Sequence, residues 1–164
     1  MSKPCRILVV DDREEITETF KELLSPEKDI GINELKGLAS SLFDTEVPDV
    51  PAKPKLNLRV DTANQGLEAV EMARVAKEED DPIRIALLDF RMPPGINGLE
   101  TALKLIEIDE KIEIAFVSAY SDISFEELSE HLGNGRFLLL KKPVVPEEIN
   151  AAVAYLTRTR NKCE

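Results

Sequence analysis

The chain has two cysteines, one histidine and no apolar run near the length of a membrane span. Cys5 and Cys163 stand at opposite ends and form neither a disulfide framework nor a metal-ligand spacing, so both read as reduced thiols. His131, among Glu126, Glu127 and Glu130 late in a short helix, reads as a solvated surface residue. No four-helix module surrounds it that would make it a phosphorelay histidine. Patches of interleaved basic and aromatic residues are absent, and a net charge of -11 repels nucleic acid. Lys3 and Arg6 are followed by only four apolar residues before Asp11, too few for the core of a signal peptide. There is no internal repeat and no low-complexity tract. These absences leave a cytoplasmic protein of one domain, residues 1–164, long enough to bury a core.

What is present is an alternation of strand and helix, the pattern of an α/β fold with a parallel sheet covered on both faces. Apolar runs at Ile7–Val10, Ile83–Leu88, Ile112–Val117 and Phe137–Leu140 read as strands, with a further strand around Leu56–Val60. Between them fall stripes at helical spacing: Ile16, Phe20, Leu23 and Leu24; Ala69, Val70 and Ala73; Leu99, Ala102, Leu103 and Ile106; Phe125, Leu128 and Leu132. Pro146, Glu147 and Glu148 open a last helix, since proline suits the first helical position and acids suit its dipole. The charge run Lys77–Asp81 reads as a solvated helix end, and Asp109-Glu110-Lys111 as a loop.

Residues 25–55 break the rhythm, being far longer than the usual connection. Ile32, Leu35, Ala39, Leu42 and Phe43 share one face there, which predicts an extra amphipathic helix inserted between helix 1 and strand 2. Pro48, Pro51 and Pro54 follow as a stiff extended linker. Three readings stay open for the insert: a helix folded over the domain's own edge, a docking face, or disorder.

Four strands end in groups suited to phosphoryl chemistry. The first ends in Asp11-Asp12, the third in Asp89, the fourth in Ser118 and the fifth in Lys141-Lys142-Pro143. In a parallel sheet these ends share one edge, and ligands bind at that edge in open α/β sheets. Close carboxylates repel by about 4 kcal/mol per pair at an effective dielectric near 20, so the cluster implies a cation. Mg²⁺ or another divalent ion suits an oxygen donor set of this kind. A carboxylate nucleophile, a metal, an ammonium and a hydroxyl together describe phosphoryl transfer onto an aspartate. Asp89, alone at the end of a fully apolar strand, is the expected nucleophile.

In order along the chain, Ile7 to Asp12, Leu87-Leu88-Asp89, Met92-Pro93, Gly98, Ser118-Ala119 and Lys142-Pro143 resemble the receiver domain of the two-component response regulators. The resemblance spans Cys5 to Leu156 apart from the insert. It implies the chemotaxis-regulator fold, a doubly wound, flavodoxin-like sheet of five parallel strands in order 2-1-3-4-5. It implies a phosphorelay switch rather than an enzyme, with Asp89 accepting phosphate from a sensor histidine kinase or phosphotransfer protein. Asp12, Asp89 and the backbone carbonyl of Arg91 would bind Mg²⁺ directly, and Asp11 mostly through a metal-bound water. Lys142 would pair with Asp89, Ser118 would swing in to the phosphoryl group, and the Lys142–Pro143 peptide would be cis. Helix 1 would face the kinase, and output would pass to a surface around helix 4 and strand 5. With only Thr157–Glu164 after the last helix, the chain reads as a stand-alone or excised receiver, so another receiver or a parent signalling chain is a further expected partner.

Two departures from the family pattern stand out. The turn after Asp89, Met92-Pro93-Pro94-Gly95-Ile96-Asn97-Gly98, is one residue longer than the common form. Leu139 stands where many receivers carry the aromatic that moves with the hydroxyl, while Phe137 lies two residues earlier and Tyr120 two after Ser118. By resemblance, Arg91 and Tyr120 shape the access of water to the phosphoryl group. The alternatives are a phosphorylation-independent docking module and a phosphatase of the haloacid dehalogenase type. The phosphatase would carry a second Asp two residues after its nucleophile, but Asp11 is followed by Asp12 and Arg13.

Overall fold

Residues 3–25, 56–119, 121–133 and 135–161 are described by the computed structural model. The predicted inserted helix lies outside the described residues, as do Tyr120 and Cys163. The order is β1 (Cys5–Val10), α1 (Glu14–Leu24), β2 (Leu58–Ala63), α2 (Gly66–Glu78), β3 (Ile85–Asp89), α3 (Gly98–Ile108), β4 (Glu113–Ser118), α4 (Phe125–Leu132), β5 (Phe137–Lys141) and α5 (Pro146–Asn161). The five strands form one parallel sheet in the order β2-β1-β3-β4-β5, as the resemblance implies.

Strand alternation explains why the central runs are apolar throughout. Leu8, Val10, Ala86, Leu88, Ile114 and Phe116 point to one face, where Ala69 and Ala73 of α2, Leu105 of α3 and Leu128 of α4 cover them. Ile7, Val9, Ile85, Leu87, Ala115 and Val117 point to the other, beneath Leu24 of α1 and Ile149 and Val153 of α5. Both faces are removed from water, so no position on β1, β3 or β4 between these residues is left for a polar side chain. Fully burying a side chain such as Phe116 contributes about 1.5–3 kcal/mol.

Two helices begin on reciprocal caps. Asn97 accepts from the Glu100 backbone N–H at 2.9 Å while the Glu100 carboxylate accepts from the Asn97 N–H. Ser124 and Glu127 repeat the arrangement on α4. Each box satisfies donors that a helix start would otherwise leave unpaired.

The edge strand β2 runs to Ala63 rather than ending near Val60. Its later residues include Asp61 and Thr62, which an apolar reading takes for a loop. Asp61 belongs in the strand because its carboxylate receives the Arg6 guanidinium from β1 at 2.6 Å. Arg6 is buried and also donates to the Asp81 carbonyl at 2.8 Å, while Arg59 pairs with the Asp81 carboxylate at 3.1 Å. The charge run ending at Asp81 is therefore only partly solvated, since its last residue ties β1 and β2 to the α2–β3 connection. Lys77 likewise donates to the Ile108 carbonyl at the end of α3.

Gly66 shows how closely α2 and α3 approach. A Cβ there would sit 2.1 Å from Thr101 Oγ1 and 2.6 Å from Ile96 Cγ1. Alanine at an open helical site gains about 1 kcal/mol over glycine. Here the overpacking term, typically 1–3 kcal/mol, is expected to exceed that gain. Gly66→Ala should therefore lower the thermal midpoint by about 2–4 °C per kcal/mol lost, as measured by circular dichroism.

Candidate functional site

The register sets the site. Val10 pairs with Leu88 across β1 and β3, and Asp89 pairs with Val117 across β3 and β4. Ser118 pairs with Lys141 across β4 and β5. The residues just beyond these pairs, Asp11, Asp12 and Lys142, consequently meet Asp89 at one edge. One carboxylate oxygen from each of Asp11, Asp12 and Asp89 lies within 4.8 Å of the others. Lys142 Nζ donates to Asp89 Oδ1 at 3.1 Å and lies 3.8 Å from Asp11 Oδ2. The backbone places that lysine: its N–H donates to the Ser118 carbonyl at 2.8 Å, and the Lys142–Pro143 peptide is cis. The Pro93–Pro94 peptide is cis as well.

Asp11 and Asp89 are buried, with side chains 3% and 7% exposed. Burial is the main cause that pushes both carboxyls above the usual aspartate range. The Asp89 charge adds to the shift at Asp11, and the Asp12 charge adds to it at Asp89. Lys142 and the backbone N–H groups of Arg13 and Phe90 pull the other way without reversing it. The Lys142 ammonium and the exposed Arg13 guanidinium, 3.9 Å from Asp11 Oδ1, thus leave the three carboxylates short of positive charge. The donor set is all oxygen, anionic and within the span that the first shell of a hard divalent cation occupies, so the residues fit such an ion.

The turn after Asp89 is anchored on several sides. Met92 is buried in the core, and the Gly98 N–H donates to the Phe90 carbonyl at 2.8 Å. A Cβ on Gly98 would lie 2.5 Å from the Asp89 carbonyl oxygen, so α3 starts where only glycine leaves room. Gln65, at the start of α2, donates to the Pro93 carbonyl at 3.3 Å. Ser118 is fully buried, and its hydroxyl donates to the adjacent Ala119 carbonyl at 3.3 Å rather than to Asp89. Phe137 does not stand in for the missing aromatic. It pairs with Ile114, near the opposite end of β4 from Ser118, and packs at 5.9 Å on Phe116 and 5.2 Å on Phe125. Leu139 packs against the same core.

Two contacts escape a reading of the sequence. Arg91 Nε lies 2.6 Å from Asp122 Oδ1, and Lys141 Nζ donates to the Ile123 carbonyl at 3.2 Å. Both hold the β4–α4 loop. His131 is exposed, as expected. No described helix is long and apolar enough to cross a membrane.

The model of the response regulator receiver domain family matches residues 52–154. That range begins in the connection before β2, so it leaves out β1 with Asp11 and Asp12. Sporulation initiation phosphotransferase F of Bacillus subtilis (strain 168) is 33% identical over 91 residues, covering 56% of this chain and 67% of that protein. The crystal structure of a CheY-like response regulator receiver domain protein from Methanospirillum hungatei JF-1 superposes with a TM-score of 0.64. It is 21% identical, over 99% of this chain and 100% of that one. Response regulator TrrA of Thermotoga maritima, crystallised in complex with Mg(2+)-BeF, gives a TM-score of 0.58 at 25% identity. That match covers 94% of this chain and 99% of the other.

The raised carboxyls have consequences for stability. Their protonation favours the folded chain, an effect complete below the ordinary aspartate pKa of about 3.9 and lost as pH rises through the elevated folded values. At pH 7 without divalent ions, Asp89→Asn should therefore melt about 2–4 °C above wild type, a gain of roughly 1 kcal/mol in a domain of this size. The difference should vanish on acidification below about pH 3.9. Adding MgCl₂ to about 100 times its Kd should stabilise wild type by about 2.7 kcal/mol and Asp89→Asn far less. Thermal melts across pH, with and without metal, check all three outcomes.

Proposed function

The chain belongs to the response regulator receiver family, and from that membership we propose that Asp89 is its phosphoacceptor, charged by a histidine kinase or phosphotransfer protein. It is a signalling domain rather than an enzyme. The observation that carries the assignment is the Asp89 carboxylate, held 3.1 Å from Lys142 at the point where Asp11 and Asp12 converge.

In the proposed reaction a carboxylate oxygen of Asp89 attacks the phosphorus of a phosphohistidine. The P–N bond breaks, its electron pair stays on the imidazole, and an acyl phosphate forms on Asp89. Asp12, Asp89 and the Arg91 carbonyl would hold Mg²⁺ directly, with Asp11 acting mostly through a metal-bound water. When bound, the ion supplies charge neutralisation for the phosphoryl oxygens. Lys142 keeps Asp89 oriented before the reaction and then pairs with the phosphoryl group. Ser118 turns its hydroxyl from the Ala119 carbonyl to a phosphoryl oxygen. The product adds nearly two negative charges at the sheet edge, enough to bias the surface around α4 and β5. With Leu139 and Phe137 packed in the core, no aromatic of β5 accompanies that change.

The whole of residues 1–164 is read as one receiver, with 25–55 as an insertion between α1 and β2. The apolar face from Ile32 to Phe43 favours an amphipathic helix there. Since the insert continues directly from α1, the surface expected to meet the kinase, it bears on the choice of partner. This reading places the chain in the cytoplasm beside its phosphodonors.

Intact mass after incubation with acetyl phosphate and Mg²⁺ tests the chemistry. One phosphoryl group should be added to wild type and none to Asp89→Ala or to metal-free protein. No addition to wild type, in conditions that modify a control receiver, would favour a phosphorylation-independent docking module. Deleting residues 26–54 should change the relative transfer rates from different kinases, and rates unchanged from the full chain with every donor would reject a role for the insert.

A further inference from the structure

The β3–α3 and β4–α4 loops leave the sheet side by side. Asp89 and Val117 are register partners, so Arg91 and Ala119, each two residues on, stand at the same level beyond the site. One carboxylate joins them. Asp122 Oδ1 lies 2.6 Å from Arg91 Nε, and Asp122 Oδ2 accepts the Ala119 backbone N–H at 2.9 Å. The Asp122 N–H returns a bond to the Ala119 carbonyl at 3.2 Å, closing the turn on itself. That carbonyl is also the one that receives the Ser118 hydroxyl. The Asp122 side chain is 8% exposed, whereas Arg91 is 68% exposed and reaches it from outside.

Building on the assignment of Asp89, we propose that Asp122 is a positioning residue for the phosphoryl reaction, acting through its ion pair with Arg91. The pair fastens the β4–α4 loop to the β3–α3 loop in the arrangement where the Ser118 hydroxyl faces Ala119. Moving that hydroxyl to a phosphoryl oxygen requires the end of β4 and its loop to shift. A contact made only in the resting arrangement opposes the shift, so releasing it favours the phosphoryl-bound state. Asp122→Asn keeps an acceptor for the Ala119 N–H and removes the charge that holds Arg91. Arg91→Gln removes the same pair from the other side, at an exposed position where folding is not at stake.

The test is the affinity for beryllium fluoride with Mg²⁺, a phosphoryl mimic, measured on wild type, both single variants, the double variant and Asp89→Ala. Each single variant should bind roughly 2- to 5-fold more tightly than wild type, the scale of one partly exposed ion pair. The double variant should gain no more than either single one, because both changes cut one contact. The gap between wild type and variants should narrow in 1 M NaCl, where screening shortens to about 3 Å. A merely structural role would not give this pattern of coupling and salt response. Wild-type binding with single variants that bind equally or more weakly, or whose effects add, would overturn the positioning role and leave the Asp89 assignment standing. Binding by Asp89→Ala equal to wild type would overturn that assignment and this proposal together. Should Asp122→Asn fail to fold, Arg91→Gln alone decides: unchanged affinity overturns the proposal.

Discussion

Asp11, Asp12 and Asp89 converge within 4.8 Å at the carboxyl edge of the sheet, and their mutual repulsion is balanced only in part by Lys142 and Arg13. Such a cluster persists because the strands beneath it cannot relax. Ile7 to Val10, Ile85 to Leu88 and Ile114 to Val117 are buried on both faces, and letting the carboxylates separate would pull those side chains from two cores at once. Apolar burial thus supplies the free energy that holds unfavourable charges together. The same charge imbalance makes the cluster capable of holding a divalent cation.

Around that edge the loops differ in how firmly they are tied. The β3–α3 turn is fixed through buried Met92, the close approach of Gly98 to the Asp89 carbonyl, and Gln65 on Pro93. The β4–α4 loop packs Ile123 on the core and adds polar contacts: Asp122 with Arg91 and Ala119, and Lys141 with the Ile123 carbonyl. Contacts of this kind are weaker and more easily exchanged than core packing. That difference fits the proposed roles, a metal ligand at Arg91 on the turn and a moving Ser118 beside the loop. With Phe137 packed far down β5 from Ser118, any response must travel through the loop rather than through an aromatic relay on that strand.

Much of this was legible in order along the chain. The α/β class follows from four apolar runs and the helical stripes between them, and the candidate site follows from the polar residues ending those runs. The end of β2 was not legible: Asp61 and Thr62 look like loop residues until Arg6 of β1 supplies a partner. Asp81 looked like part of a solvated charge run until two arginines from neighbouring strands reached it. Asp122 gave no signal at all, because its partner lies thirty-one positions earlier and nothing local announces the pairing.

By itself, then, the sequence determined the kind of chemistry and the residues available for it, since strand periodicity and the groups at strand ends are local properties. It did not separate centre from edge by apolarity alone, since Phe137–Leu140 of the edge strand β5 is as apolar as the runs of β1, β3 and β4. The tertiary structure alone decided the distances. Strand order and register brought Asp11 and Asp12, separated from Asp89 by the long insert, to within reach of it, and Lys142 between them. It also decided which acids are charge partners and which are solvated. That distinction depends on what the fold carries in from distant positions, and no window along the chain contains it.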